Sequence, residues 1–226
     1  MQESPDLTRL CRQLDYQFRD LNLLKTALTH RSASSRNNER LEFLGDAILG
    51  QVISIELFDR FPDATEGELS RMRASLVKGV TLAKVSRELD LGEYLNLGTG
   101  ELKSGGFRRD SILADAFEAI IGAVYLDSNR QVAHDFVMRF LSERLQQCNP
   151  DAVMKDPKTR LQEYLQAQGE PLPDYEVVAI EGQAHEQTFK VACHITRLQE
   201  KVSAIGSSRR KAEQLVAQEV LNRLGV

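Results

Sequence analysis

The side chains in this sequence best suited to chemistry are carboxylates. Glu39, Glu42 and Asp46 stand in the run NERLEFLGDAIL, residues 38–49. Read as a helix, the run gathers these acids into an arc of roughly 60°. Leu41, Leu44, Ile48, Val52 and Ile55 fall on the opposite side, as an apolar stripe fit for a core. Like charges at such spacings cost about 0.2–0.5 kcal/mol per pair. Arg36 is placed to relieve Glu39, whereas Glu42 and Asp46 have no cation three or four residues away. A solvated acidic face would account for three acids on one helix. A second segment shifts the balance: in ILADAFEAIIGAVYL, residues 112–126, the only charges are Asp115 and Glu118, again i and i+3 without a nearby cation. Charged groups are seldom deeply buried unless paired or metal-bound. Two helices with their acidic stripes facing would build an oxygen-rich site suited to Mg²⁺.

The run NERLEFLGDAIL resembles the signature of bacterial ribonuclease III. ALTHRSAS at 27–34 and GELKSGGFRRDSILADAFEAIIGAVYLD at 100–127 agree with it, and the likeness spans nearly all of the 226 residues in the family's order. The resemblance implies a Mg²⁺-dependent endoribonuclease, with Mn²⁺ as a substitute ion, that cuts double-stranded RNA. It implies Glu42, Asp46, Asp115 and Glu118 as metal ligands, with Asp46 and Glu118 central to catalysis and Glu39 and Glu66 as supporting acids. It further implies 5′-phosphate and 3′-hydroxyl ends, short 3′ overhangs, and processing of structured precursors of ribosomal, messenger and transfer RNA. A homodimer formed through the signature helix belongs to the same pattern. Phe43 lies about 70° from the acidic arc and away from the apolar stripe; an aromatic there is a packing contact or an interface anchor, and the resemblance selects the interface.

Composition adds bounds. No basic stretch leads into an apolar run at the start, and no segment is long enough to span a bilayer. Cys11, Cys148 and Cys193 are odd in number and lack a CxxC pair, which reads as reduced thiols in a cytoplasmic protein. The net charge of −4 would not by itself suggest RNA. No Ser-His-Asp or Cys-His arrangement supports a covalent route, and no small-molecule cofactor is expected.

Periodicity divides the chain into an all-α domain at 1–146, a linker at 147–156 and an α-β-β-β-α domain at 157–226. In the first, short helical pieces cover Leu7 to Leu28. His30, beside Arg31, reads as a structural hydrogen-bonder outside the site. Thr65 and Glu68 form a capping box opening a helix that carries apolar positions from Leu69 through Val85. Glu66 suits its first turn through the helix dipole alone. Five glycines between Gly92 and Gly106 suggest a mobile connection. Arg108 and Arg109 read equally well as phosphate contacts or solubilising charge.

In the second domain, a helix at 158–168, strands at 174–181, 187–196 and 201–205, and a helix at 208–224 give the order of the double-stranded-RNA-binding fold. A-form RNA exposes sugar hydroxyls in a shallow minor groove. By resemblance, Thr159, Gln162 and Glu163 meet one minor groove and His185 the next. Arg209, Arg210 and Lys211 clamp the phosphates between. Glu213 stands where many members carry Lys. Phe189, Val191 and Leu215 are core candidates. Two rivals explain less. An all-α Mg²⁺ nucleotide pyrophosphohydrolase leaves the second domain idle, and a non-catalytic RNA-binding protein would be expected to lack one of the four acids.

Overall fold

A computed structural model describes residues 6–149, 156–183 and 186–226. His185 and residues 150–155 of the expected linker lie outside them. The chain divides into two compact units, residues 1–153 and 154–226. Among the described residues, no helix is long and apolar enough to cross a membrane.

The first unit is helical. Asp6 caps α1 (Leu7–Leu14) and Asp20 caps α2 (Leu21–Ala27), each side chain accepting from first-turn amides. The long α3 (Glu39–Arg60) follows. The Thr65–Glu68 capping box opens α4 (Glu66–Val77), as its sequence predicts. The single helix expected through Val85 is two, because Lys78 is extended (φ −65°, ψ 145°) and Gly79 begins α5 (Gly79–Glu88). Gly79 packs toward Ala114, where a Cβ would sit at ordinary contact distance.

The glycine-rich connection is not a loose loop. It holds α6 (Thr99–Lys103) between single turns at Leu91–Glu93 and Gly106–Arg108. A Cβ on Gly92 would overlap the Phe107 carbonyl oxygen, and one on Gly98 that of Ser32. These glycines permit close packing rather than motion. Then come α7 (Asp110–Asp127) and α8 (Arg130–Gln146). The core gathers on α7, whose Ile112, Leu113, Phe117, Ile120, Ile121 and Val124 are all buried. Asp127 at its end is buried too, yet satisfied: Tyr16 Oη donates to it at 2.8 Å, and the amides of Arg19 and Asp20 each donate at 2.9 Å.

The expected stripe of α3 needs one correction. Leu41, Ile48 and Val52 are buried, but Ile55 is 38% exposed, while Leu49, Ile53 and Leu57 are buried. The helix is covered by α4 and α8 as well as α7, so the buried face broadens and turns along its length.

The second unit is α9 (Pro157–Ala167), β1 (Asp174–Glu181), β2 (Thr188–His194), β3 (Val202–Gly206) and α10 (Arg209–Leu224). Asp156 caps α9 ahead of its first-turn proline. The strands form an antiparallel sheet in the order β1-β2-β3, with Val177 opposite Val191 and Val191 opposite Ala204. The core unites Leu161 and Leu165 of α9, Val191 and Cys193 of β2, and Val216 and Val220 of α10. Phe189 packs partly buried against it. Leu215 does not: it is 52% exposed, because Ala212, Val216, Ala217 and Val220 form the inward face of α10.

Candidate active site

The two acid-bearing helices cross at a pair of glycines. A Cβ on Gly45 would overlap the Glu118 carbonyl oxygen, and a Cβ on Gly122 would overlap that of Leu41. Only bare backbone allows α3 and α7 to approach this closely. Glu42 precedes Gly45 by one turn, and Glu118 precedes Gly122 by four residues, so both side chains emerge beside the crossing. One carboxylate oxygen each from Glu42, Asp115 and Glu118 lies within 4.8 Å of the others.

Electrostatics reflect this crowding. Burial, reinforced by the charges of Asp46, Asp115 and Glu42, pushes the Glu118 carboxyl up to about 8. Burial also raises Glu42, with Asp115 and Glu39 adding repulsion. Asp115 is raised by burial, and His30 and Arg31 oppose the shift. The donors are all hard carboxylate oxygens gathered beside the crossing, the ligand type that small divalent cations take. Such a set fits Mg²⁺ or Mn²⁺ and lacks the soft donors of a zinc site.

The remaining acids sit differently. Asp46 is exposed and outside the group of three, though close enough for its charge to act on Glu42 and Glu118. Glu39 pairs with Arg31 at 3.4 Å, where sequence spacing favoured Arg36. Glu66 is not brought to the cluster within this chain. It accepts from Ser70 Oγ at 2.7 Å and shares a hollow with Ser54, Phe58 and Arg73. Ser54 lies twelve residues beyond Glu42, about 18 Å along α3.

A cavity of about 490 Å³ opens beside the acids, lined by Glu39, Glu42 and Asp115 together with His30, Arg31 and Arg109. His30 lines this cavity, a position its sequence context did not reveal, and it also makes the structural hydrogen bond read from sequence. Its Nδ1 lies 2.8 Å from Ser32 Oγ, a local bond that holds the ring at the cavity wall. No spacing rule connects residue 30 to residue 115; only the fold does. Arg109 lines the cavity, while Arg108 stacks over the Phe107 ring at 4.9 Å.

In the second unit, Gln162 and Glu163 lie exposed on α9, and Thr159 Oγ1 donates to Asp156 at 2.8 Å. Arg209, Arg210 and Lys211 open α10 and are exposed, with the Ser208 hydroxyl accepting from the Lys211 amide. Three cations at a helix amino end, where backbone amides also point outward, suit phosphate.

An acid-lined helical nuclease unit followed by an α-β-β-β-α nucleic-acid-binding unit is the class these features define. The Ribonuclease-III-like family model matches residues 20–145, and the Double-stranded RNA binding motif matches 157–224. The chain belongs to the bacterial ribonuclease III family of double-stranded-RNA endoribonucleases. It is 58% identical over 224 residues to Ribonuclease 3 of Shewanella amazonensis and 59% identical over 224 residues to that of Shewanella frigidimarina. Each match covers 99% of both chains. The crystal structure of the nuclease domain of ribonuclease III from Campylobacter jejuni is 42% identical, with a TM-score of 0.61, over 64% of this chain and 99% of that one. A second structure of that domain, with the same identity and TM-score, covers 62% of this chain and 99% of that one. It concerns structural flexibility in a region involved in dimer formation.

Proposed function

We propose that this endoribonuclease hydrolyses duplex RNA with Mg²⁺, or Mn²⁺ in its place, held by Glu42, Asp115 and Glu118, with Asp46 completing the set. The observation that carries this reading is the meeting of three carboxylate oxygens from two helices within 4.8 Å. A divalent ion bound there would supply a water of lowered pKa and stabilise charge on the departing oxygen. The chain's own groups do the rest. Burial raises Glu118, Glu42 and Asp115 alike, so a cation held among them would favour the deprotonated form of all three. His30, Arg31 and Arg109 offer donors to the phosphates flanking the scissile bond. Glu39, paired with Arg31 and lining the cavity, would orient a water at its edge. Displacement of the 3′ oxygen leaves 5′-phosphate and 3′-hydroxyl ends.

Two copies of the chain would each cut one strand and leave short 3′ overhangs. Support for this homodimer is Phe43, which is 80% exposed on α3 beside a hollow lined by Leu23, Leu44 and Leu126. An aromatic so exposed next to an apolar hollow suits an interface anchor. Glu66 has no part in the single-chain cluster, so its supporting role holds only if a second copy brings it near. The domain limits, 1–146 and 157–226 with a linker between, follow the change from helical to mixed pattern. Structured precursors of ribosomal, messenger and transfer RNA in the cytoplasm are the substrates this activity fits. Purified protein with a long RNA duplex, with and without Mg²⁺, and with end-mapping of the products, tests the proposal. Single-stranded cleavage or metal-independent cutting would overturn it.

A further inference from the structure

One buried carboxylate joins the amino ends of α9 and α10. Glu213, only 9% exposed, accepts from Lys158 Nζ at 2.6 Å and from Arg209 Nε at 2.8 Å. Its neighbour Gln214 accepts from the Lys158 amide at 3.2 Å and donates to Asp156 at 2.7 Å. The two cations are engaged differently. The Lys158 ammonium is held between Glu213 and the ring of Tyr175, 4.6 Å from its centroid. Arg209, whose side chain is 64% exposed, commits only Nε. Among the described residues its terminal amino groups make no hydrogen bond to the protein. A guanidinium is a rigid planar fork, so fixing Nε fixes the plane and the direction of both terminal nitrogens.

We propose that Glu213 is a positioning residue for duplex RNA: it orients Arg209 so that both terminal amino groups meet one phosphate, while Lys158 fixes its distance from α9. The proposal rests on the reading of the α10 amino end as a phosphate contact. Paired Arg–phosphate hydrogen bonds depend on geometry as well as charge. Charge counting makes the opposite prediction: neutralising Glu213 removes one negative charge from the RNA-facing end and should tighten binding.

The test is duplex-RNA binding by the full chain in chelator, so that no cleavage occurs, for Glu213→Gln, Arg209→Ala, their combination, and Arg209→Lys. Glu213→Gln is expected to weaken binding about three- to tenfold. It should add nothing on the Arg209→Ala background. Arg209→Lys keeps the charge at an exposed position and cannot disturb the core; it should weaken binding about as much as Glu213→Gln. Unchanged or tighter binding by Glu213→Gln overturns the proposal. So does an equal further loss in the double variant, which would mark a role in the fold alone, or native affinity in Arg209→Lys. If Arg209→Ala binds normally, the phosphate contact itself is wrong and the positioning role falls with it. If Arg209→Ala weakens binding and Glu213→Gln does not, the contact stands and only the positioning role is lost.

Discussion

Gly45 and Gly122 lie against each other across the α3–α7 crossing, so close that a Cβ on Gly122 would come within 3.3 Å of the Gly45 amide nitrogen. The acids owe their meeting to this contact. A Cβ at either glycine would strike a backbone carbonyl, and backbone has no rotamer by which to give way. Gly45→Ala and Gly122→Ala are each expected to destabilise the first unit by about 2–3 kcal/mol or more, measured by chemical denaturation. Both should also lose Mg²⁺-dependent cleavage, because the helices must separate. A variant of native stability would show that the crossing is not this tight.

Chemistry and binding should separate by mutation. Glu118→Ala removes a carboxylate from the metal group and leaves the second unit untouched. Cleavage should slow at least about a thousandfold, some 4 kcal/mol of barrier, with duplex affinity retained in gel-shift titrations. Arg209→Ala combined with Arg210→Ala should do the reverse. Its binding would be weaker and less dependent on salt, and cleavage would recover at low salt and high enzyme. Near-normal cleavage by Glu118→Ala would remove that residue from the active site.

Phe43→Glu places a charge on the most exposed large hydrophobic side chain of α3. Sedimentation should report monomers that keep the far-UV helical signal of the native protein, because the position carries no core packing within the chain. A persisting dimer would move the interface elsewhere.

Metal and protons compete for Glu118. In the unfolded chain its carboxyl has the ordinary value of 4.5, and in the metal-free folded protein it stands at about 8. Between those values the folded state holds a proton that the unfolded state has released. That contribution to stability is present in full below about pH 4.5 and is lost as pH rises through about 8. Melting curves in chelator should therefore show native protein losing more stability than Glu118→Gln between pH 5 and pH 8.5. Added Mg²⁺ should restore more stability to the native protein at the higher pH. Parallel pH profiles for the two proteins would contradict the raised value.

Much of this was legible from residue order. The acids at 42, 115 and 118 announced themselves because nothing on their own helices neutralised them, and the alternating strands and capped helices of the second unit were readable for similar local reasons. What escaped the sequence was set by neighbours in space. His30 joins the cavity only because the start of α3 and the segment before it converge. Ile55 and Leu215 look like core on a helical wheel, but a wheel does not show which elements cover a face. The Lys78 break was hidden because apolar spacing continues through it while the backbone turns. The glycines between 92 and 106 suggested freedom, yet Gly92, Gly98 and Gly106 serve close contact.

The bonds that Asp127 receives from Tyr16 and from the amides of Arg19 and Asp20 decide where the nuclease unit can be cut. The family match begins at residue 20, but the last charge of α7 is satisfied by residues that straddle that boundary. A fragment starting at Asp20 would keep every acid of the active site. It would also lose the Tyr16 and Arg19 donors to Asp127 and strip Leu10 and Leu14 from the core. The connection after α1, which carries no acid of the active site, thereby anchors the end of the helix that carries two of them.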